Sequence, residues 1–154
     1  MTEIGQKAED IMSKDIVKVK PKDSIHRVSR ILAENDTSGA PVVDDIGRIV
    51  GVISEHDIVA FLSTFDMTKL EVMDSSNLPH LAHIYLQASA KPIEEIMMKE
   101  VVTADPDATI DQLAEIMTEN NINRVPIVEK GNLVGIVSRI DILRNIGQVA
   151  LEKV

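Results

Sequence analysis

The sequence contains no cysteine, which excludes disulfides, thiolate metal sites and cysteine nucleophiles and fits a reducing compartment. It has no tryptophan, and its aromatic residues are Phe61, Phe65 and Tyr85. Its core must therefore be aliphatic, and a bound base would be gripped by Ile, Val and Pro rather than between stacked rings. Basic residues are in deficit, with 16 Lys and Arg against 25 Asp and Glu and a formal net charge of −9. Sequence-independent binding to nucleic acid draws its affinity from many basic side chains paired with phosphates, so this balance argues against it. A small pocket with its own local positive charge remains compatible with it. Long apolar runs are missing too. The longest stretch free of Asp, Glu, Lys and Arg, Ser75 to Ala90, is broken by Asn77, Pro79 and two histidines, and a bilayer span needs roughly 18 to 20 apolar residues. Residues Met1 to Asp10 lack the basic and apolar blocks of a signal peptide. The expectation is a soluble cytoplasmic protein with no membrane partner.

What the 154 residues do contain is a duplication. Sliding Glu9–Val43 by 85 onto Glu94–Val128 matches Pro21 with Pro106, Ile25 with Ile110, Ile31 with Ile116, Glu34-Asn35 with Glu119-Asn120, and Pro41 with Pro126. One residue then drops out where VDDIG becomes VEKG. At a shift of 84, Gly47 matches Gly131, Gly51 matches Gly135, Ser54 matches Ser138 and Asp57 matches Asp141.

Each copy reads the same way. A short helical turn (Ala8–Met12, Ile93–Met97) precedes a short strand (Ile16–Val19, Val101–Ala104) ended by Pro21 or Pro106. An amphipathic helix follows, with Ile25, Val28, Ile31 and Leu32 or Ile110, Leu113, Ala114, Ile116 and Met117 on one stripe, and with Ser24 or Thr109, or an aspartate beside them, as N-cap. Strands at 41–43 and 126–128 turn through DDIG or EKGN into strands at 49–53 and 133–137, and helices at 57–62 and 141–146 close the copies. The order β-α-β-β-α, twice, predicts an α+β fold. At about 55 residues neither copy buries a good core alone, so the two are expected to pack about a pseudo-twofold axis. The domains expected are 8–62 and 93–147, joined by a linker, 63–92, that contains a helix around Leu81–Leu86 and is longer than most connections.

The chemistry points to Gly51-Val-Ile-Ser54-Glu-His-Asp57 and Gly135-Ile-Val-Ser138-Arg-Ile-Asp141. In both, a strand ends at a serine and a helix begins near an aspartate. Such an aspartate caps orphan amides and suits the helix dipole. It can equally accept both hydrogen bonds of a ribose 2′,3′-diol, with the serine and nearby amides facing an anion. Both readings stand at this level, and they can coexist.

Two copies of this order, each with an h-P-V-V-like strand, a G-h-h-S-x-x-D ending and an E-D-I-M-like opening, resemble a tandem pair of CBS domains, a Bateman module. The resemblance spans about Ala8–Leu62 and Ile93–Ile146. It implies a regulatory module, not an enzyme, whose cleft between repeats binds an adenosine derivative: AMP, ADP, ATP, S-adenosylmethionine or methylthioadenosine. Carried over by position, it implies that Asp57 and Asp141 hold ribose and that Ser54 and Ser138 supply the hydroxyl. It also implies that each aspartate works with the opening strand and pre-proline segment of the other repeat. Asp57 would meet Lys99, Val101, Asn123 and Arg124, beside Pro126, and Asp141 would meet Lys14, Ile16, Ser38 and Ala40, beside Pro41. Arg124 matches a phosphate-binding arginine of the family but reads equally as a solvated charge; its counterpart is Gly39. His56 and Arg139 lie where basic residues reach phosphate. The family resemblance further implies a homodimer that reports to a protein target. The alternative is a structural CBS-pair interaction module that binds no nucleotide.

Other constellations carry less. His80 and His83 share a helical face but lack a third zinc ligand, and a surface helix explains them better. Asp44-Asp45 is turn chemistry and Glu94-Glu95 a helix start. Met97-Met98 reads as adaptable core. No Walker loop, G-x-S-x-G, H-E-x-x-H or dinucleotide fingerprint is present, and no catalytic or metal site is expected.

Overall fold

The computed structural model describes residues 6–64 and 87–153, with the backbone alone at 149–153. The expected linker helix, His80 and His83 lie outside the described residues. The elements are α1 (Ala8–Ile11), α2 (Ile25–Glu34), β1 (Gly39–Val43), β2 (Ile49–Ser54), α3 (Glu55–Leu62), a 3₁₀ turn (Ile93–Glu95), α4 (Ile110–Asn120), β3 (Arg124–Glu129), β4 (Asn132–Ser138) and α5 (Arg139–Lys153). The fold is α+β, with β1 paired to β2 in one sheet and β3 to β4 in the other.

The expected opening strands at 16–19 and 101–104 shrink to single parallel bridges, Val19 to Val42 and Ala104 to Ile127. Prolines are the reason. Val19 donates to the Pro41 carbonyl (3.1 Å) and accepts from Val43 N–H (2.8 Å). The next ladder bond on one side would need an N–H from Pro41, and on the other side one from Pro21; neither has one. Pro126 and Pro106 truncate the bridge at Ala104 in the same way, where the two bonds are 3.0 and 2.9 Å.

The compact bodies are not the two copies. One body comprises 17–45, 50–64 and 87–99; the other comprises 6–16, 46–49 and 100–153. The opening segments have changed places. In the first body, Met98 exchanges two 2.9 Å backbone bonds with Val52 of β2, and Ile93 and Glu94 N–H donate to the Asp23 and Pro21 carbonyls. In the second body, Ser13 exchanges the equivalent pair with Ile136 of β4 (2.9 and 3.0 Å), and Ala8 and Glu9 N–H donate to Ala108 and Pro106. A glycine makes each approach possible. A Cβ on Gly51 would lie 2.5 Å from Met97 Sδ, and one on Gly135 would lie 2.6 Å from Met12 Cγ and 3.0 Å from Met12 Cβ. A Gln6–Asn145 side-chain hydrogen bond further ties the N-terminal segment to α5. An ion pair guards each joint with reversed polarity: Lys22–Glu94 (2.6 Å) in the first body and Lys7–Asp107 (3.4 Å) in the second.

Each core is aliphatic, as the composition requires. The first buries Val19, Ile25, Val28, Leu32, Ala40, Val42, Ile53, Ile58 and Ile93. The second buries Ala8, Ile110, Leu113, Met117, Val125, Ile127, Val137 and Ile142. The caps foreseen for the long helices form: Ser24 Oγ accepts from Arg27 N–H (3.0 Å) and Thr109 Oγ1 from Gln112 N–H (3.2 Å). The repeated Asn35 and Asn120 close the other ends, each donating its side-chain amide to the carbonyl four residues back (2.8 and 2.9 Å). Asp36 and Asn121 then turn the chain at positive φ, a conformation their short polar side chains tolerate. The residue dropped between copies falls in the hairpins. Lys130 (φ 52°) and Gly131 (φ 85°) make a two-residue turn between paired Glu129 and Asn132. The first copy takes a longer path whose positive φ falls on Gly47. Met97 packs against the first core, whereas Met98 is exposed, in contrast to the expected core role of the pair.

Candidate functional site

Both Ser-x-x-Asp segments form the same tight box where a strand hands over to a helix. Ser54 is extended (φ −124°, ψ 162°). Its N–H and Oγ both donate to Asp57 Oδ2 (2.9 and 3.0 Å), and its Oγ accepts from Asp57 N–H (3.3 Å). In the second copy, Ser138 N–H and Oγ donate to Asp141 Oδ2 (2.8 and 3.0 Å), and the return bond is 3.3 Å. The capping reading of the aspartates is thus realised. It consumes one oxygen: Oδ2 accepts two bonds, and Oδ1 is left as the acceptor for anything else.

The pre-proline segments meet these boxes within their own copies. The Ser38 carbonyl accepts from Glu55 N–H (2.8 Å), and the Asn123 carbonyl from Arg139 N–H (3.0 Å). Arg124 opens β3 in register with Ser138. The first body therefore holds Ser38, Ala40, Pro41, Ser54, His56, Asp57 and Lys99, and the second holds Lys14, Ile16, Val101, Asn123, Arg124, Pro126, Ser138, Arg139 and Asp141. The opening segments cross between copies, so Lys99 lies in the body of Asp57, and Lys14 and Ile16 lie in that of Asp141. The pre-proline segments stay with their own copies, so Arg124 and Val101 lie in the body of Asp141, and Ser38 and Ala40 lie in that of Asp57. Ala40, Pro41 and Pro126 are buried strand residues, while His56, Lys99, Lys14, Asn123 and Arg139 are exposed.

One charged residue escaped the sequence reading. Arg144 Nη1 stands 3.7 Å from Asp141 Oδ1, with the arginine side chain 76% exposed and the aspartate 17%. Their i, i+3 spacing on a helix was the available signal. The matching position in the first copy is Ala60. Among the described residues no group of three or more His, Cys, Asp or Glu is arranged to hold a metal ion.

A family model for the CBS domain matches residues 8–64 and 93–148. The chain belongs to the CBS-domain family. It is 35% identical over 147 residues to an uncharacterised protein of Methanocaldococcus jannaschii, covering 87% of each chain. It is 28% identical over 140 residues to inosine-5′-monophosphate dehydrogenase of the same organism, covering 90% of this chain and 23% of that enzyme. Among solved structures it resembles the CBS domain pair of protein MJ0100 in complex with 5′-methylthioadenosine and S-adenosyl-L-methionine, with 30% identity, a TM-score of 0.71 and coverage of 93% and 97%. It shares its fold with Arabidopsis thaliana CBSX2 in complex with AMP, at 23% identity, a TM-score of 0.75 and coverage of 95% and 99%. Among the described residues no helix is long and apolar enough to cross a membrane.

Proposed function

We propose that this CBS pair is a ligand-sensing regulatory module that binds an adenosine derivative and reports its occupancy to a partner protein. The observation that carries the reading is the repeated Ser-x-x-Asp box, whose Oδ1 is left to accept a ribose diol after Oδ2 has capped the helix. Support comes from the MJ0100 pair, solved with two adenosine-type ligands at 30% identity. Around Asp57 the first body offers Ser54, His56 and Lys99; around Asp141 the second offers Ser138, Arg124 and Arg139, a more cationic set suited to phosphate. A ligand that binds one arrangement of the module better than another shifts the population toward it, which is how occupancy becomes a signal. Self-association into a homodimer belongs to the same proposal. Val59 on α3 and Ile140, Leu143 and Ile146 on α5 are large apolar residues left exposed, and light scattering should return twice the 16.9 kDa chain mass.

The test is a thermal-shift panel on nucleotide-stripped protein with AMP, ADP, ATP, S-adenosylmethionine, methylthioadenosine and GTP. A ligand at 100 times its Kd stabilises by about 2.7 kcal/mol. A shift confined to adenosine compounds and lost in Asp57→Asn/Asp141→Asn supports the sensor. No shift with any compound, on folded protein, favours a structural pairing module that binds no nucleotide.

A further inference from the structure

In the Asp141 box, Oδ2 is saturated by Ser138 N–H and Oγ, so an incoming diol has Oδ1 to bind. That oxygen already faces Arg144, 3.7 Å away. The guanidinium, mostly in solvent beside a largely covered carboxylate, lies against the oxygen that a diol would use. In the Asp57 box the same helical position is Ala60, and no such competitor exists on the helix.

We infer that Arg144 sets the ligand class of the Asp141 box, handicapping neutral nucleosides and favouring phosphorylated ones. The inference rests on the aspartates being diol acceptors, as proposed above. A neutral nucleoside that takes Oδ1 must displace the guanidinium and gives it nothing in return. A nucleotide displaces it too but offers a phosphate, to which arginine binds with strong charge-assisted hydrogen bonds. The Asp57 box carries no such penalty and accepts neutral and charged adenosine compounds on more equal terms.

The experiment uses the full chain carrying Asp57→Asn, which leaves one intact box, and titrates it calorimetrically with adenosine and with AMP, with and without Arg144→Ala. Arg144→Ala should tighten adenosine by about two- to fivefold, the worth of an exposed ion pair, and should narrow the preference for AMP. Because Arg144 is exposed, the variant keeps its melting temperature within a few degrees, which circular dichroism checks. An unchanged AMP-to-adenosine ratio, with binding abolished by Asp57→Asn/Asp141→Asn, overturns the role of Arg144 and leaves the aspartate reading intact. Undiminished binding in that double variant overturns both. Loss of all binding in Asp57→Asn alone also overturns the inference, since the Asp141 box would then hold no adenosine compound.

Discussion

Ile93 and Ala8 occupy equivalent places in the two bodies, and both are fully buried. A side chain three carbons larger fits in one body because other pairs trade the opposite way. The first core has Val28, Leu32, Ala40 and Val42 where the second has Leu113, Met117, Val125 and Ile127. The two copies therefore keep a backbone plan and a roughly constant filling while almost every pairwise fit differs. The ion pairs at the joints teach the same lesson: an attraction is kept while its polarity is reversed. Such matched exchanges are how a close-packed interior tolerates change.

The sharpest way to break this comparison is to delete residues 1–13. The lost segment supplies Ala8, Ile11 and Met12 to the second body, not the first. Amide hydrogen exchange should show protection lost across β3, β4 and α4, with Val52 and Ile53 in β2 still protected. Loss confined to the first body would overturn the exchange of opening segments. Next come the swapped core residues. Ile93→Ala should cost about 2 to 5 kcal/mol by leaving a cavity, and Ala8→Ile about 1 to 3 kcal/mol by overpacking; urea denaturation reads both. If Ala8→Ile were neutral, the second core would have unused space.

The glycines sharpen the comparison at a smaller scale. Gly135→Ala should destabilise more than Gly51→Ala. The new methyl group would press on Met12 Cβ, which is fixed to the backbone, whereas the contacts at Gly51 are the outer atoms of Met97. The expected penalty at Gly135 is about 1 to 3 kcal/mol, and equal melting temperatures would contradict it. The smallest effect expected is symmetrical: Ser54→Ala and Ser138→Ala each remove one capping box and should each cost about 1 kcal/mol.

Lys22 marks a difference that pH can read. The hydrogen bond and charge of Glu94 raise its pKa above the ordinary 10.5. A raised folded-state value means that the stabilisation is present below pH 10.5 and fades as pH climbs through the folded pKa. The Lys22→Gln variant should lack that alkaline dependence.

The sequence by itself determined the duplication, the two-helix and hairpin plan of each copy, the starts of the long helices near Ser24 and Thr109, and the aspartates at the strand-to-helix junctions 54–57 and 138–141. These are local features, carried by a periodicity, a turn or a three-residue spacing, and local chemistry suffices to form them. Tertiary structure decided the rest. Pro41 and Pro126 cut the opening strands to single bridges only because of which neighbour those strands meet. The opening segments paired with the opposite copy's strand, a long-range contact in which Met97 closes on Gly51 and Met12 on Gly135. Segments of four or five residues carry too little local stability to hold a conformation alone, so their place is set by the core that receives them.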